Sequence, residues 1–114
     1  STFLGHPVGC AMALKSLEIL ERPGTAEMVT LKGTYLAEKL RALSSPNIIE
    51  ARGRGLMWGL ELKQNAGSLL SSLLQKGLLI LADGPEGKVL SFTPPFTISE
   101  EEIDFAIQEV EQLI

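Results

Sequence analysis

The 114-residue chain is poor in the residues that mark several classes of protein. Cys10 is the only cysteine, so a disulfide framework is excluded and a reducing cytoplasm is the expected compartment. Acidic residues outnumber basic ones by 14 to 10, and the net charge of −4 argues against nucleic acid or an anionic membrane as a partner. No apolar run is long enough to span a bilayer.

Hydrophobic residues make up 45% of the chain, which is enough for the core of one small domain. One histidine and one cysteine cannot supply the four ligands of a zinc site, so no metal centre is expected. The chain opens on Ser1 with no methionine before it, and we expect it to be a fragment of a longer protein.

The pattern of apolar residues predicts alternating helices and strands. Helices are expected over residues 7–21, 26–43 and 65–76, the third ended by Gly77 as a left-handed cap. A last helix begins after Ser99, which forms a capping box with Glu102. Strands are expected over residues 48–52, 56–62, 78–81 and 89–92, the first two joined by a glycine-rich turn over residues 53–55. The prediction is an α/β domain of two layers (α+β-like), with packed helices on a small, mainly antiparallel sheet.

The first ten residues, S-T-F-L-G-H-P-V-G-C, hold the most informative local pattern. The hydroxyls of Ser1 and Thr2 precede a glycine turn and a helix start, and hydroxyls and amides in that setting suit a phosphate. Pro7 occupies the first helical position, where its missing N–H is not needed. His6 is favoured as a structural residue of the turn over a general base, because no acidic residue lies within five positions to orient it.

Two later segments carry further candidates, residues 52–62 and 89–98. The spacing Gly-x-Gly-x-x-x-Gly from Gly53 to Gly59 leads into a strand, so it does not predict a dinucleotide site, which needs a helix there. Arg52 and Arg54 either face a substrate or partner subunit or are solvated turn residues. Ser91 stands in a strand directly before Phe-x-Pro-Pro.

In this order, the three segments resemble the C-terminal part of the class III (omega) aminotransferases. These are pyridoxal 5'-phosphate (PLP) enzymes of the aspartate aminotransferase fold, among them acetylornithine, ornithine and 4-aminobutyrate aminotransferases. The resemblance implies that residues 1–114 form the C-terminal small domain, with residues 1–21 as a phosphate-contact turn and connecting helix. It also implies that Thr2, with Ser1 as a weaker partner, binds the phosphate of PLP held by the other subunit of a homodimer.

The resemblance further implies a transfer of an amino group from a small-molecule amine or ω-amino acid to a 2-oxo acid. Ser91 and Arg54 are the candidates for the substrate pocket. Several family members carry an arginine at the position of Ser91, where it holds the substrate carboxylate, and a serine cannot form that bidentate pair. No lysine here stands in the context of the family's Schiff-base lysine, so the chain contributes no catalytic residue and is expected to be inactive alone.

Two alternatives to an aminotransferase stay open at this point. The longer protein is a PLP aminomutase, racemase or decarboxylase of the same fold, or the chain is a non-catalytic interaction module. The apolar side chains of Phe3, Met12 and Leu14 are expected to face the missing large domain, so the separate chain is expected to self-associate.

Overall fold

The computed structural model describes residues 4–114, and these form four helices and one antiparallel sheet. The helices are α1 (Pro7–Leu20), α2 (Thr25–Ala42), α3 (Gly67–Gln75) and α4 (Glu100–Glu111). The strands are β1 (Ile48–Arg54), β2 (Met57–Leu62), β3 (Leu81–Asp83) and β4 (Val89–Phe92), in the sheet order β1-β2-β4-β3 with every pairing antiparallel. The predicted fold class is confirmed.

The core lies between one face of the sheet and the helices α2, α3 and α4. Side chains alternate between the two faces of a strand, and in β2 and β4 the even-numbered positions are the buried ones. Their partners are the apolar faces of the helices. The most deeply buried side chains are those of Leu36, Leu40, Leu60, Leu62, Leu73, Leu90, Ile103 and Val110.

Helix α1 stands apart from this core, since none of its residues is buried. Met12 is 67% exposed and Leu14 is 63% exposed, as the sequence predicts, whereas Phe3 lies outside the described residues. A helix that carries apolar side chains and buries none of them normally packs against another part of a larger protein. No described helix is both long and apolar enough to cross a membrane.

Two local predictions are wrong. Gly53 and Arg54 belong to β1, where they pair with Trp58 and Met57, and the turn is formed by residues 55 and 56. A Cβ at Gly53 would lie 2.3 Å from the Met57 carbonyl oxygen, so glycine is needed there for close approach within the hairpin. The strand predicted over residues 78–81 begins only at Leu81 and runs to Asp83.

The ends of α3 and α4 follow the sequence signals. Gly77 has a φ of +88°, and the amides of Gly77 and Leu78 donate to the carbonyls of Leu74 (3.0 Å) and Leu73 (2.9 Å), which is a Schellman cap. At the start of α4, the Ser99 hydroxyl accepts from the Glu102 amide, and the Glu102 carboxylate accepts from the Ser99 amide at 2.8 Å. The predicted capping box is confirmed.

Candidate functional site

The turn before α1 is described from Leu4 onward, so the predicted phosphate contacts Ser1 and Thr2 lie outside the described residues. Gly5 has a φ of +74°, a conformation that favours glycine. Nδ1 of His6 accepts a hydrogen bond from the Gly9 amide at 3.2 Å, which makes His6 the N-cap of the helix. The histidine therefore has the structural role that the sequence predicts for it.

Lys39 is held in its charged form by its surroundings. Lys39 forms an ion pair with Asp104 at 2.6 Å and lies over the Tyr35 ring, and its hydrogen bonds to these two residues raise its pKa. A lysine that attacks a carbonyl must first lose its proton, and such an environment opposes that loss. Lysines with an ion pair or hydrogen bond within residues 4–114 are Lys15, Lys32, Lys39, Lys76 and Lys88.

A row of residues crosses the face of the sheet opposite the core. Gly59 of β2 pairs with Arg52 on one side and with Ser91 on the other, and Ser91 pairs with Leu81 of β3. Because directly paired residues project to the same face, the four share the outer face of the sheet. A residue of a substrate pocket has to be accessible from outside the core. Ser91 meets this requirement, because it lies in β4 and projects from the outer face of the sheet.

Arg52 is not a free cation in this row. Its guanidinium pairs with the carboxylates of Glu50 and Glu61, which lie on the same face, and these pairs raise the pKa of Arg52. Two carboxylates around one guanidinium leave the cluster with a net negative charge. Arg52 is therefore a poor substitute for an arginine at the position of Ser91.

The structure places the two predicted pocket residues in different depressions. Ser91 borders a groove of about 630 Å³ between the segment leading into β3, the end of β4 and helix α4, although its side chain projects from the opposite face of the sheet. Arg54 lines a cavity of about 710 Å³ between α2 and the β1–β2 hairpin, together with Arg41 and Trp58. Arg41 lies 5.0 Å from the centre of the Trp58 ring, whose indole N–H donates to the Gly55 carbonyl at 2.8 Å. The sequence did not predict this separation.

The sequence analysis missed the residues that give the Ser91 groove its character. Leu79 and Leu81 are 83% and 66% exposed, and the ring of Phe105 from α4 faces the same groove. The sequence predicts a strand over residues 78–81, and nothing in the local sequence distinguishes an apolar residue that packs from one that lines a groove. Within residues 4–114, no cluster of three or more histidine, cysteine, aspartate or glutamate side chains is arranged to hold a metal ion.

Comparison with known proteins finds a matching family and similar sequences. The family described as Aminotransferase class-III matches residues 1–114. The [LysW]-aminoadipate semialdehyde transaminase of Deinococcus radiodurans is 40% identical over all of this chain and 26% of its own length. The ornithine aminotransferase of Bacillus subtilis is 38% identical over all of this chain and 28% of its own length.

Solved structures agree with the sequence relatives. A Bacillus anthracis aminotransferase superposes with a TM-score of 0.86 at 34% identity, over 98% of this chain and 29% of that one. The ornithine aminotransferase of Toxoplasma gondii gives a TM-score of 0.81 at 30% identity, over 98% of this chain and 28% of that one. The chain thus spans little more than a quarter of the length of the relatives it matches. On this evidence, the chain belongs to the class III aminotransferase family.

Proposed function

We propose that residues 1–114 are the C-terminal small domain of a PLP-dependent aminotransferase. The full enzyme moves an amino group from an amine or ω-amino acid to a 2-oxo acid, and PLP supplies the electron sink for that transfer when it is bound. The observation that carries the proposal is the family match over every residue of the chain, supported by a fold that superposes on solved aminotransferases. The homodimer and the cytoplasmic location are part of the same proposal.

The residues of this chain have limited roles in the proposed enzyme. The hydroxyl of Thr2, assisted by Ser1, donates to the phosphate of PLP bound by the partner subunit, since hydroxyl and amide donors suit a phosphate dianion. Ser91, on the outer face of the sheet, contributes to the wall of the substrate pocket. The lysine that binds the cofactor covalently is expected in the remaining part of the enzyme, because no lysine of this chain stands in the sequence context of the family's Schiff-base lysine.

Helix α1 fits the same arrangement. It buries none of its own residues, and its exposed apolar side chains would pack against the large domain that the relatives' length implies. Packing of this helix would place the turn at Leu4 and Gly5, which precedes it, at the boundary between the two domains.

The proposal is tested on the full-length enzyme loaded with PLP. An amine donor should change the visible absorbance of the bound cofactor, and a 2-oxo acid added afterwards should restore it. Thr2→Ala should weaken retention of PLP by about tenfold, the loss of one charge-assisted hydrogen bond, whereas the exposed Thr97→Ala serves as a matched control with no effect. Unchanged PLP retention in Thr2→Ala would remove the phosphate contact from the proposal, and a spectrum indifferent to every amine would remove amino transfer.

A further inference from the structure

The corner at which β3 ends contains an aspartate followed directly by a glycine. Asp83 is the last residue of β3, which is an edge strand of the sheet, and Gly84 opens the turn that leads to β4. Both residues are exposed. The Gly84 amide donates to Oδ1 of Asp83 at 2.7 Å, so the carboxyl group lies against the main-chain nitrogen that follows it.

This contact brings together the two groups that react when an aspartate isomerises. The nitrogen of the following residue loses its proton and bonds to Cγ of the carboxylic acid, whose hydroxyl leaves as water, and a five-membered succinimide results. Water then opens the ring at one of its two carbonyls. Opening at the side-chain carbonyl regenerates aspartate. Opening at the main-chain carbonyl gives isoaspartate, in which the chain continues through the former side chain and gains one methylene group.

Gly84 favours the first step of this reaction. It has no side chain to crowd its nitrogen, and its φ of +75° is a conformation that favours glycine. Its amide lies beyond the end of β3 and donates to the carboxylate rather than to a neighbouring strand. Reacting groups that the fold holds in contact react faster than groups that must first find each other.

The asparagine at position 65 shows how the fold can prevent the same step. The Ala66 nitrogen, which would have to attack its side chain, donates to the Gly87 carbonyl at 2.8 Å. The side chain is held at both ends, since Oδ1 of Asn65 accepts the Gly67 amide at 2.8 Å and Nδ2 donates to the Glu86 carbonyl. Both reacting groups therefore have other partners.

The remaining aspartate and asparagine are also poorly placed. Asp104 lies inside α4, where the following nitrogen belongs to the helix, and its carboxylate is bound by Lys39 and Tyr35. Asn47 precedes Ile48, whose β-branched side chain crowds the nitrogen that would attack. The chain has two aspartates and two asparagines in all, so Asp83 stands apart from the other three.

We propose that Asp83 is a site of spontaneous isomerisation to isoaspartate, and that the fold directs this modification to Asp83 among the four residues. The inference concerns the folded chain and does not depend on aminotransferase activity. Because Asp83 ends a strand of three residues, the added methylene group shifts the main chain out of register with Val89 of β4. The modification therefore loosens the edge of the sheet.

The test ages the full-length enzyme, loaded with PLP, at physiological temperature and then digests it with trypsin. The four residues fall in four different tryptic peptides, and Asp83 lies in the peptide of residues 77–88. Isoaspartate has the mass of aspartate, so it is detected as a second chromatographic peak and by methyl transfer from an isoaspartyl methyltransferase. The isomer should accumulate with time in the 77–88 peptide and stay at background in the other three peptides.

Two variants of Asp83 serve as controls that leave Gly84 in place. Asp83→Glu keeps the carboxylate but would need a six-membered ring, which closes far more slowly, so the second peak should be lost. Asp83→Asn should form the same succinimide with loss of ammonia and should give isoaspartate sooner. The proposal is overturned if the 77–88 peptide of the unmodified enzyme stays unchanged, if Asp83→Glu gives an equal signal, or if another of the four residues is modified as fast.

Discussion

Replacement of Gly33 by alanine should destabilise the domain although it places a better helix former inside α2. A Cβ at Gly33 would lie 2.4 Å from the Gly55 carbonyl oxygen and 2.7 Å from the Gly55 Cα, well inside normal contact distance. That carbonyl is held in place by the indole N–H of Trp58 at 2.8 Å, so the hairpin turn cannot move aside without breaking this bond. Helix α2 and the β1–β2 hairpin therefore touch at two glycines, Gly33 of the helix and Gly55 of the turn.

The magnitude follows from two opposing terms. Overpacking against a fixed neighbour destabilises by up to about 3 kcal/mol, and alanine in place of a helical glycine returns about 1 kcal/mol. The net loss for Gly33→Ala is then about 2 kcal/mol, which for a domain of this size lowers Tm by roughly 8 °C. Thermal unfolding followed by circular dichroism measures the shift, and the fluorescence of Trp58, the only tryptophan, reports the same contact.

Gly9→Ala is the matched control, since Gly9 also lies in a helix. The nearest atom to a Cβ at Gly9 is Nδ1 of His6 at 3.8 Å, an ordinary contact, so the variant should unfold at or slightly above the temperature of the unmodified protein. A Gly33→Ala protein as stable as the unmodified one would show that the close approach of α2 and the hairpin is absent in solution.

Hydrogen bonds from the Lys39 ammonium and, to a smaller extent, from the Tyr35 hydroxyl lower the pKa of Asp104. The Asp104 carboxylate therefore stabilises the folded state above the unfolded-state pKa of about 4, and this stability is lost as the pH falls through the lower folded-state pKa. Urea unfolding across acidic pH should show the advantage over Asp104→Asn shrinking below about pH 4; an advantage of constant size would refute this. Ser99→Ala should destabilise the domain by about 1 kcal/mol in urea unfolding through loss of the capping box, while exposed Ser71→Ala should change little, and equal effects would contradict the role of the cap.

Much of the fold follows from local chemistry that the sequence displays. The Ser99–Glu102 box and Gly77 mark helix ends with side-chain and backbone rules that need no tertiary context, and both appear where the sequence predicts them. In β2 and β4 the buried positions alternate with the others, as expected for strands that have one face on the core. These signals hold because each is decided within a few residues.

The errors occur where a distant neighbour decides the conformation. Gly53 was assigned to the turn for its freedom of φ, yet it is a strand residue that glycine occupies because Met57 and Trp58 come too close for a Cβ. The strand at Leu81 begins later than predicted because the Schellman cap at Gly77 leads Leu78 back across the end of α3 before β4 becomes available for pairing. Neither the close approach at Gly53 nor the late start of β3 can be read from a local sequence pattern.

The candidate site was predictable in part. Ser91 was singled out by its place before Phe-x-Pro-Pro, and the structure puts it on the accessible face of the sheet. The pairing of Arg52 with Glu61 was not predictable, because it depends on the register between β1 and β2. That pairing engages Arg52 with two carboxylates on the same face of the sheet as Ser91.

Isotope tracing of the amino group tests the central claim most directly. The full-length enzyme with PLP is incubated with a ¹⁵N-labelled amine and a 2-oxo acid, and the products are separated and analysed by mass spectrometry. The account predicts that the label appears in the amino acid formed from the 2-oxo acid, with loss of the amine in equal amount. Label that stays in the original compound or in a rearranged or decarboxylated product, with none in a new amino acid, would contradict it.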